Sequence, residues 1–183
     1  MKTLILNGSP RKHGDTASLL EIFRCGMGGE IFQTDAYYAE ISPCTDCRFC
    51  RTHPACAVKD GMQEIYDLLP ECDNIVIASP IYFAEITGKL LDLFSRLQYY
   101  YNSRFYRGER ITFKPKKGAV ILVGGGSWSA DRAAETAAGL LKEMGASEIH
   151  PPVISHNTDR LPAVKDTAAT DGVRSIIRFF EQV

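Results

Sequence analysis

Four of the six cysteines in this 183-residue chain lie close together. Cys44, Cys47 and Cys50 follow C-x2-C-x2-C spacing, and Cys56 comes after five more residues. Three thiols on so short a stretch can converge on one small centre, the compact pattern of iron–sulfur ligation. A structural zinc site more often uses two separated C-x2-C pairs, so zinc stays open as a rival occupant. Cys25 and Cys72 stand alone and read as small buried apolar side chains.

A second chemistry lies in Asn7-Gly8-Ser9-Pro10-Arg11-Lys12-His13-Gly14-Asp15-Thr16, between an apolar run and an amphipathic one. Free N–H groups at a helix start favour an anion, and small residues let phosphate oxygens approach. Ser9 and Thr16 can donate from hydroxyls, and Arg11 can add a charge-assisted bond. No Lys-Ser or Lys-Thr follows Gly14, so this is not a Walker loop. A polar turn before a capped helix would carry the same residues. Two more loops suit a planar ligand. Pro80, Ile81, Tyr82 and Phe83 offer stiff, flat or apolar surface, and Gly124-Gly125-Gly126 lets backbone come close. Trp128 follows that turn, either covering a ligand or burying itself.

These loops need elements to hold them. Apolar runs at 3–7, 74–78 and 118–123 read as buried strands, with weaker extended segments at 31–34 and 148–154. Pro151 and Pro152 put the last of these at a sheet edge. Helical patterns cover 16–25, 88–99, 130–144 and 166–182, and a further helix begins near Asp60, read as its N-cap. Within 88–99, Leu90, Leu91, Phe94 and Leu97 are expected to point inward. Residues 42–58 have no periodicity. Five strands alternating with helices predict one α/β domain over 1–183. Its fold is a doubly wound five-stranded parallel sheet with helices on both faces and a cysteine-rich insertion at about 42–58. Ligands of such sheets sit outside the carboxyl ends of the strands, where the three loops fall.

The motifs Asn-Gly-Ser-Pro-Arg, Gly-Asp-Thr and Ser-Pro-Ile-Tyr resemble those of the flavodoxin-like NAD(P)H-dependent FMN reductases. The resemblance implies that Ser9, Pro10, Arg11, Gly14, Asp15 and Thr16 surround the FMN phosphate. The family often has Asn at the position of Asp15, and an acid there is expected to cap the helix instead. Pro80, Ile81, Tyr82 and Phe83 carry over to the isoalloxazine, and Gly124, Gly125 and Gly126 more weakly. The cysteine spacing, with Pro43 before it and Asp60-Gly61-Met62 after it, is similar to the iron–sulfur flavoprotein branch. That branch implies a 4Fe–4S cluster on Cys44, Cys47, Cys50 and Cys56.

The implied function is an FMN-dependent oxidoreductase. Electrons pass from NAD(P)H through FMN to a quinone-like or other small acceptor, or singly through a cluster to a ferredoxin-like partner. No catalytic acid or base stands out. The rivals are a non-enzymatic flavin and iron–sulfur electron carrier, a cluster-free FMN reductase and a zinc-holding module. A formal net charge of −1, with 45% hydrophobic and 23% charged residues, carries no footprint for nucleic acid or an anionic membrane. The first apolar run is too short for a signal peptide, so a cytoplasmic protein is expected. The aromatics within 98–106 suggest a substrate cover or a subunit contact in a homodimer or homotetramer. Arg107, Arg110, Lys114, Lys116 and Lys117 read as a solvated basic loop or a nucleotide phosphate site.

Overall fold

The computed structural model describes residues 1–109 and 111–182, so Arg110 of the basic run lies outside the described residues. Strand β1 (Lys2–Asn7) is flanked by β2 (Glu30–Asp35) and β3 (Asn74–Pro80), and β3 by β4 (Lys116–Val123). Beyond β4 lie β5 (Ala146–Ile149) and β6 (Val153–Ser155), both paired with β4. Every pairing is parallel, in the order β2-β1-β3-β4-β5, as the flavodoxin-like reading requires.

The expected fifth strand is two short ones in one lane. Gly118 pairs with Ile149 and Ile121 with Val153, so three steps along β4 match four along the edge. His150-Pro151-Pro152 fills that gap, and prolines have no N–H to give the ladder.

Successive residues of the central strands alternate between two cores. Leu4, Leu6, Ile75, Ile77, Val120 and Leu122 face one side, while Ile5, Val76, Ala78, Ala119, Ile121 and Val123 face the other. Burial on both faces is why these strands read as unbroken apolar runs. Helices α1 (Asp15–Gly26) and α6 (Thr167–Glu181) cover the second face with Leu19, Phe23, Val173 and Ile176. Helices α2 (Met62–Leu68), α3 (Gly88–Ser95) and α5 (Asp131–Glu143) cover the first.

The helix expected over 88–99 ends at Ser95 and restarts as α4 (Gln98–Asn102), which widens into a π-type turn at Ser103–Arg107. Its buried apolar side chains are Leu90, Leu93, Phe94 and Leu97, whereas Leu91 is exposed. Cys72 is buried as expected, but Cys25 is exposed and donates to Glu21.

Among the described residues, the cations of the basic run are each engaged by the chain itself. Lys114 pairs with Asp73, and Lys117 Nζ donates to the carbonyls of Phe179 and Gln182. Lys116 is buried against the Leu69 carbonyl and Cys72, and burial lowers its pKa. Arg107 pairs with Glu109 and donates to the Cys50 carbonyl. No helix of the described residues is long and apolar enough to cross a membrane.

Candidate functional site

The loops after β1, β3, β4 and β6 meet at the carboxyl ends of the strands. A cleft of about 150 Å³ is lined by Ser9, Pro10, Arg11, Gly14, Asp15, Thr16, Pro80, Ile81 and Tyr82, with Thr158 and Asp159 opposite. All six residues expected at the phosphate are therefore in one place. Ile81 and Gly125 also line a second cleft of about 230 Å³, so the two share a wall. Phe83, Gly124, Gly126 and Trp128 complete this second lining.

The first loop is held by its own small side chains. Asn7 Oδ1 accepts from Ser9 N, and Ser9 Oγ accepts from Arg11 N at 3.2 Å while donating to Arg11 O at 3.1 Å. These bonds fix the turn and leave Arg11 exposed, as the cation lining the first cleft. Asp15 does not cap its own helix as expected: its Oδ1 accepts from Ala163 N at 2.8 Å and ties α1 to the turn Ala163–Lys165.

Gly8 shows why the two leading loops are coupled. A Cβ there would lie 2.3 Å from Leu90 Cδ1 and 2.7 Å from Thr87 Oγ1. Thr87 Oγ1 donates to the Gly8 carbonyl, and Thr87 N donates to Ser79 Oγ. Gly8→Ala is expected to cost about 1–3 kcal/mol by overpacking, read as a lower urea midpoint with unchanged slope.

After β3 the chain makes a tight hairpin in which Tyr82 and Glu85 exchange backbone hydrogen bonds. Phe83 and Ala84 between them have φ of 52° and 61°. Positive φ at both central residues marks a type I′ turn, which normally takes Gly or Asn. Such backbone strain at ordinary residues is typical of ligand sites. The turn leaves Phe83 90% exposed, and Trp128 is 70% exposed, so neither buries itself. Glu85 anchors the hairpin to α5 by accepting from Thr136 Oγ1 at 2.9 Å.

Thr158 and Asp159 were missed by sequence reasoning. They lie just beyond β6 and pair back to the glycine turn, Thr158 N donating to Gly124 O and Asp159 N to Gly125 O. A Cβ on Gly125 would stand 2.7 Å from Asp159 Oδ2. The rule that ligands sit at strand carboxyl ends, applied to the fifth lane as well, would have found them.

The cysteine loop forms a separate site. Cys44, Cys47, Cys50 and Cys56 line one narrow cavity of about 20 Å³, closed by Arg96, Tyr99 and Asn102. Among the described residues, no three Cys, His, Asp or Glu side chains are drawn in closely enough to hold a metal ion. Arg96 is the loop's anchor. Its Nη1 donates to Asp60 Oδ2 at 2.8 Å and to Ser42 O, and its Nη2 to Val58 O and Cys56 Sγ. Asp60 does serve α2, since its Oδ1 accepts from Met62 N, but its other oxygen binds Arg96. Burial pushes the Asp60 carboxyl up, yet the bonds from Arg96, Ser42 and Met62 outweigh it and hold the pKa below its usual value. Of the aromatics of α4, Tyr99 lies against this loop with its Oη donating to Pro54 O, Tyr100 packs on Tyr66 and Phe113, and none lines either of the two clefts described above.

Solved structures match the fold over nearly the whole chain. An NAD(P)H:quinone oxidoreductase from Methanothermobacter marburgensis superposes with a TM-score of 0.72 at 18% identity, covering 100% of this chain and 98% of that one. An FMN-dependent NADH-azoreductase from Bacillus anthracis, solved with FMN, gives 0.65 at 16% identity over 98% and 97%. An iron–sulfur flavoprotein from Methanosarcina thermophila is 32% identical over 133 residues, 68% of this chain and 64% of that protein. This chain thus spans less than two thirds of that relative's length. Residues 1–159 match the sequence profile of the NADPH-dependent FMN reductases, and the chain belongs to that family.

Proposed function

We propose that this chain is an FMN-dependent oxidoreductase that takes electrons from NAD(P)H and passes them to a quinone-like or other small acceptor. The observation that carries the reading is the pair of joined clefts at the strand carboxyl ends, one polar with a cation, the other walled by glycines and aromatics. FMN bound there would supply hydride acceptance and onward electron transfer. The chain's own part is binding and orientation. Arg11 and the uncapped first amides of α1 would hold the phosphate, Pro80, Ile81 and Tyr82 would support the ring, and the bare Phe83 and Trp128 side chains would offer stacking surface to a planar acceptor.

The four cysteines fit an iron–sulfur centre by donor chemistry. Soft thiol ligands face one cavity, and N–H groups of Arg96 and Asn102 point at two of the sulfurs. We assign a 4Fe–4S cluster to Cys44, Cys47, Cys50 and Cys56. It would supply one-electron transfer to a redox partner. Helix α3 joins the two sites. Thr87, at its start, binds the loops of the first site, while Ser95, at its end, accepts from Cys44 N. Eight residues of helix span about 12 Å. The second reading, a cluster-free FMN reductase, draws on the cysteines not standing at ligating positions.

The test is anaerobic. The chain is reconstituted with FMN, iron and sulfide, and NADPH or NADH is added while the flavin absorbance is followed. Rapid bleaching with about four irons per chain supports the full reading. Bleaching without iron uptake leaves the cluster-free reductase. Flavin that ignores nicotinamide but is reduced by ferredoxin-like donors identifies an electron carrier.

A further inference from the structure

We propose that Asn102 and Arg96, both outside the cysteine loop, raise the reduction potential of the iron–sulfur centre by donating N–H hydrogen bonds to the sulfurs of Cys50 and Cys56. The inference rests on the cluster assignment above. Asn102 is 4% exposed, and its Nδ2 lies 3.1 Å from Sγ of Cys50, itself 8% exposed. A buried amide must find a partner, and a neutral thiol is a weak one. The same contact strengthens when the sulfur is a thiolate, and a metal centre requires deprotonated sulfur. Asn102 is thus placed where its donor is of most use with Cys50 acting as a ligand.

Arg96 repeats the arrangement at a second sulfur, its Nη2 lying 3.4 Å from Cys56 Sγ. The guanidinium cannot swing away. Asp60 and the carbonyls of Ser42 and Val58 hold its other Nη donors, and its side chain is 1% exposed. The break between α3 and α4 makes both contacts. It puts Arg96 in the connection and Asn102 at the end of the next helix, both lining one cavity.

Reduction adds one electron and breaks no bond, so the cluster and its thiolates gain one negative charge. Donors aimed at sulfur favour that more negative state, which raises the potential. Arg96 also positions the loop, so Asn102 is the cleaner probe.

The experiment uses the full chain, reconstituted anaerobically and titrated with dithionite at poised potentials under electron paramagnetic resonance. Asn102→Leu is expected to keep the wild-type iron content. Its equilibrium constant for one-electron reduction should be about tenfold lower, a drop of about 59 mV. Asn102→Asp, which adds a negative charge beside Cys50, should fall further. An unchanged midpoint with iron retained overturns the proposal. If Asn102→Leu takes up no iron, reduced wild-type protein labelled with ¹⁵N-asparagine decides. A weakly coupled ¹⁵N in pulsed resonance supports the contact, and its absence overturns it. Wild-type protein that takes up no iron overturns the cluster assignment itself, and its iron content separates that failure from the others.

Discussion

Asp60→Ala is expected to destabilise the chain by about 3–5 kcal/mol, the cost of stranding one member of a buried ion pair. The partner left behind is Arg96, whose side chain is 1% exposed and whose guanidinium lies 2.8 Å from the Asp60 carboxylate. The substitution also removes the acceptors of Ser42 N and Met62 N, one at the entry to the cysteine loop and one at the first residue of α2. Asp60→Asn keeps an acceptor and the shape and should cost less. The pH dependence has a definite sign. Asp60 has its pKa held below the usual carboxylate value, so its ionised form favours the fold. That contribution is complete above the unfolded value of about 3.9 and is lost as pH falls through the lower folded value. Urea unfolding followed by circular dichroism should therefore show a gap between wild type and Asp60→Asn at neutral pH that closes on acidification below about pH 4. A cost for Asp60→Ala under 1 kcal/mol would mean that Arg96 finds another partner, and the loop is not anchored as described.

Asp60 also shows where reading the sequence stops. Its place before Met62 signals a helix start, and the structure agrees. Nothing in a linear pattern pairs it with Arg96, which is 36 residues away and lies in the gap between two helices. That gap was hidden because residues 88–99 keep an apolar face at helical spacing through Leu97. A continuous stripe cannot reveal that the backbone turns at Ser95 to close over the cysteines. The central strands were plain for the opposite reason. Residues 74–78 and 118–123 are apolar at every step because both faces of the sheet are covered. The edge lane was legible as a lane through Pro151 and Pro152, though its division into β5 and β6 was not. The site was legible where loop chemistry is local, at residues 7–16 and 79–83. Thr158 and Asp159 carry no such local signal: their part in the cleft depends on pairing with Gly124 and Gly125, and only their place at the end of the fifth lane points to them.

Removing the cation from the first cleft should have the largest effect on FMN binding. Among the described residues Arg11 is the one cation lining that cleft, where Asp15 and Asp159 contribute carboxylates that repel a phosphate. A charge-assisted hydrogen bond contributes about 1.5–3 kcal/mol, so Arg11→Ala should weaken FMN by roughly 10- to 150-fold. Arg11→Lys should fall between, because a lysine keeps the charge but cannot make a two-pronged contact. Ser9→Ala acts differently. It deletes the hydroxyl that both accepts from and donates to the Arg11 backbone, so the turn loses its brace. With about 1 kcal/mol for that loss, the double substitution should cost about 2.5–4 kcal/mol, or roughly 10²–10³-fold in Kd. The control is riboflavin, which has the ring and the ribityl chain without the phosphate. Arg11→Ala should leave riboflavin affinity unchanged while FMN affinity collapses towards it. Flavin fluorescence titrations of both ligands against both proteins measure the difference directly. An equal loss for riboflavin and FMN would place Arg11 at the ring or the chain and remove the phosphate from the first loop. No loss for either would remove the flavin from this cleft altogether.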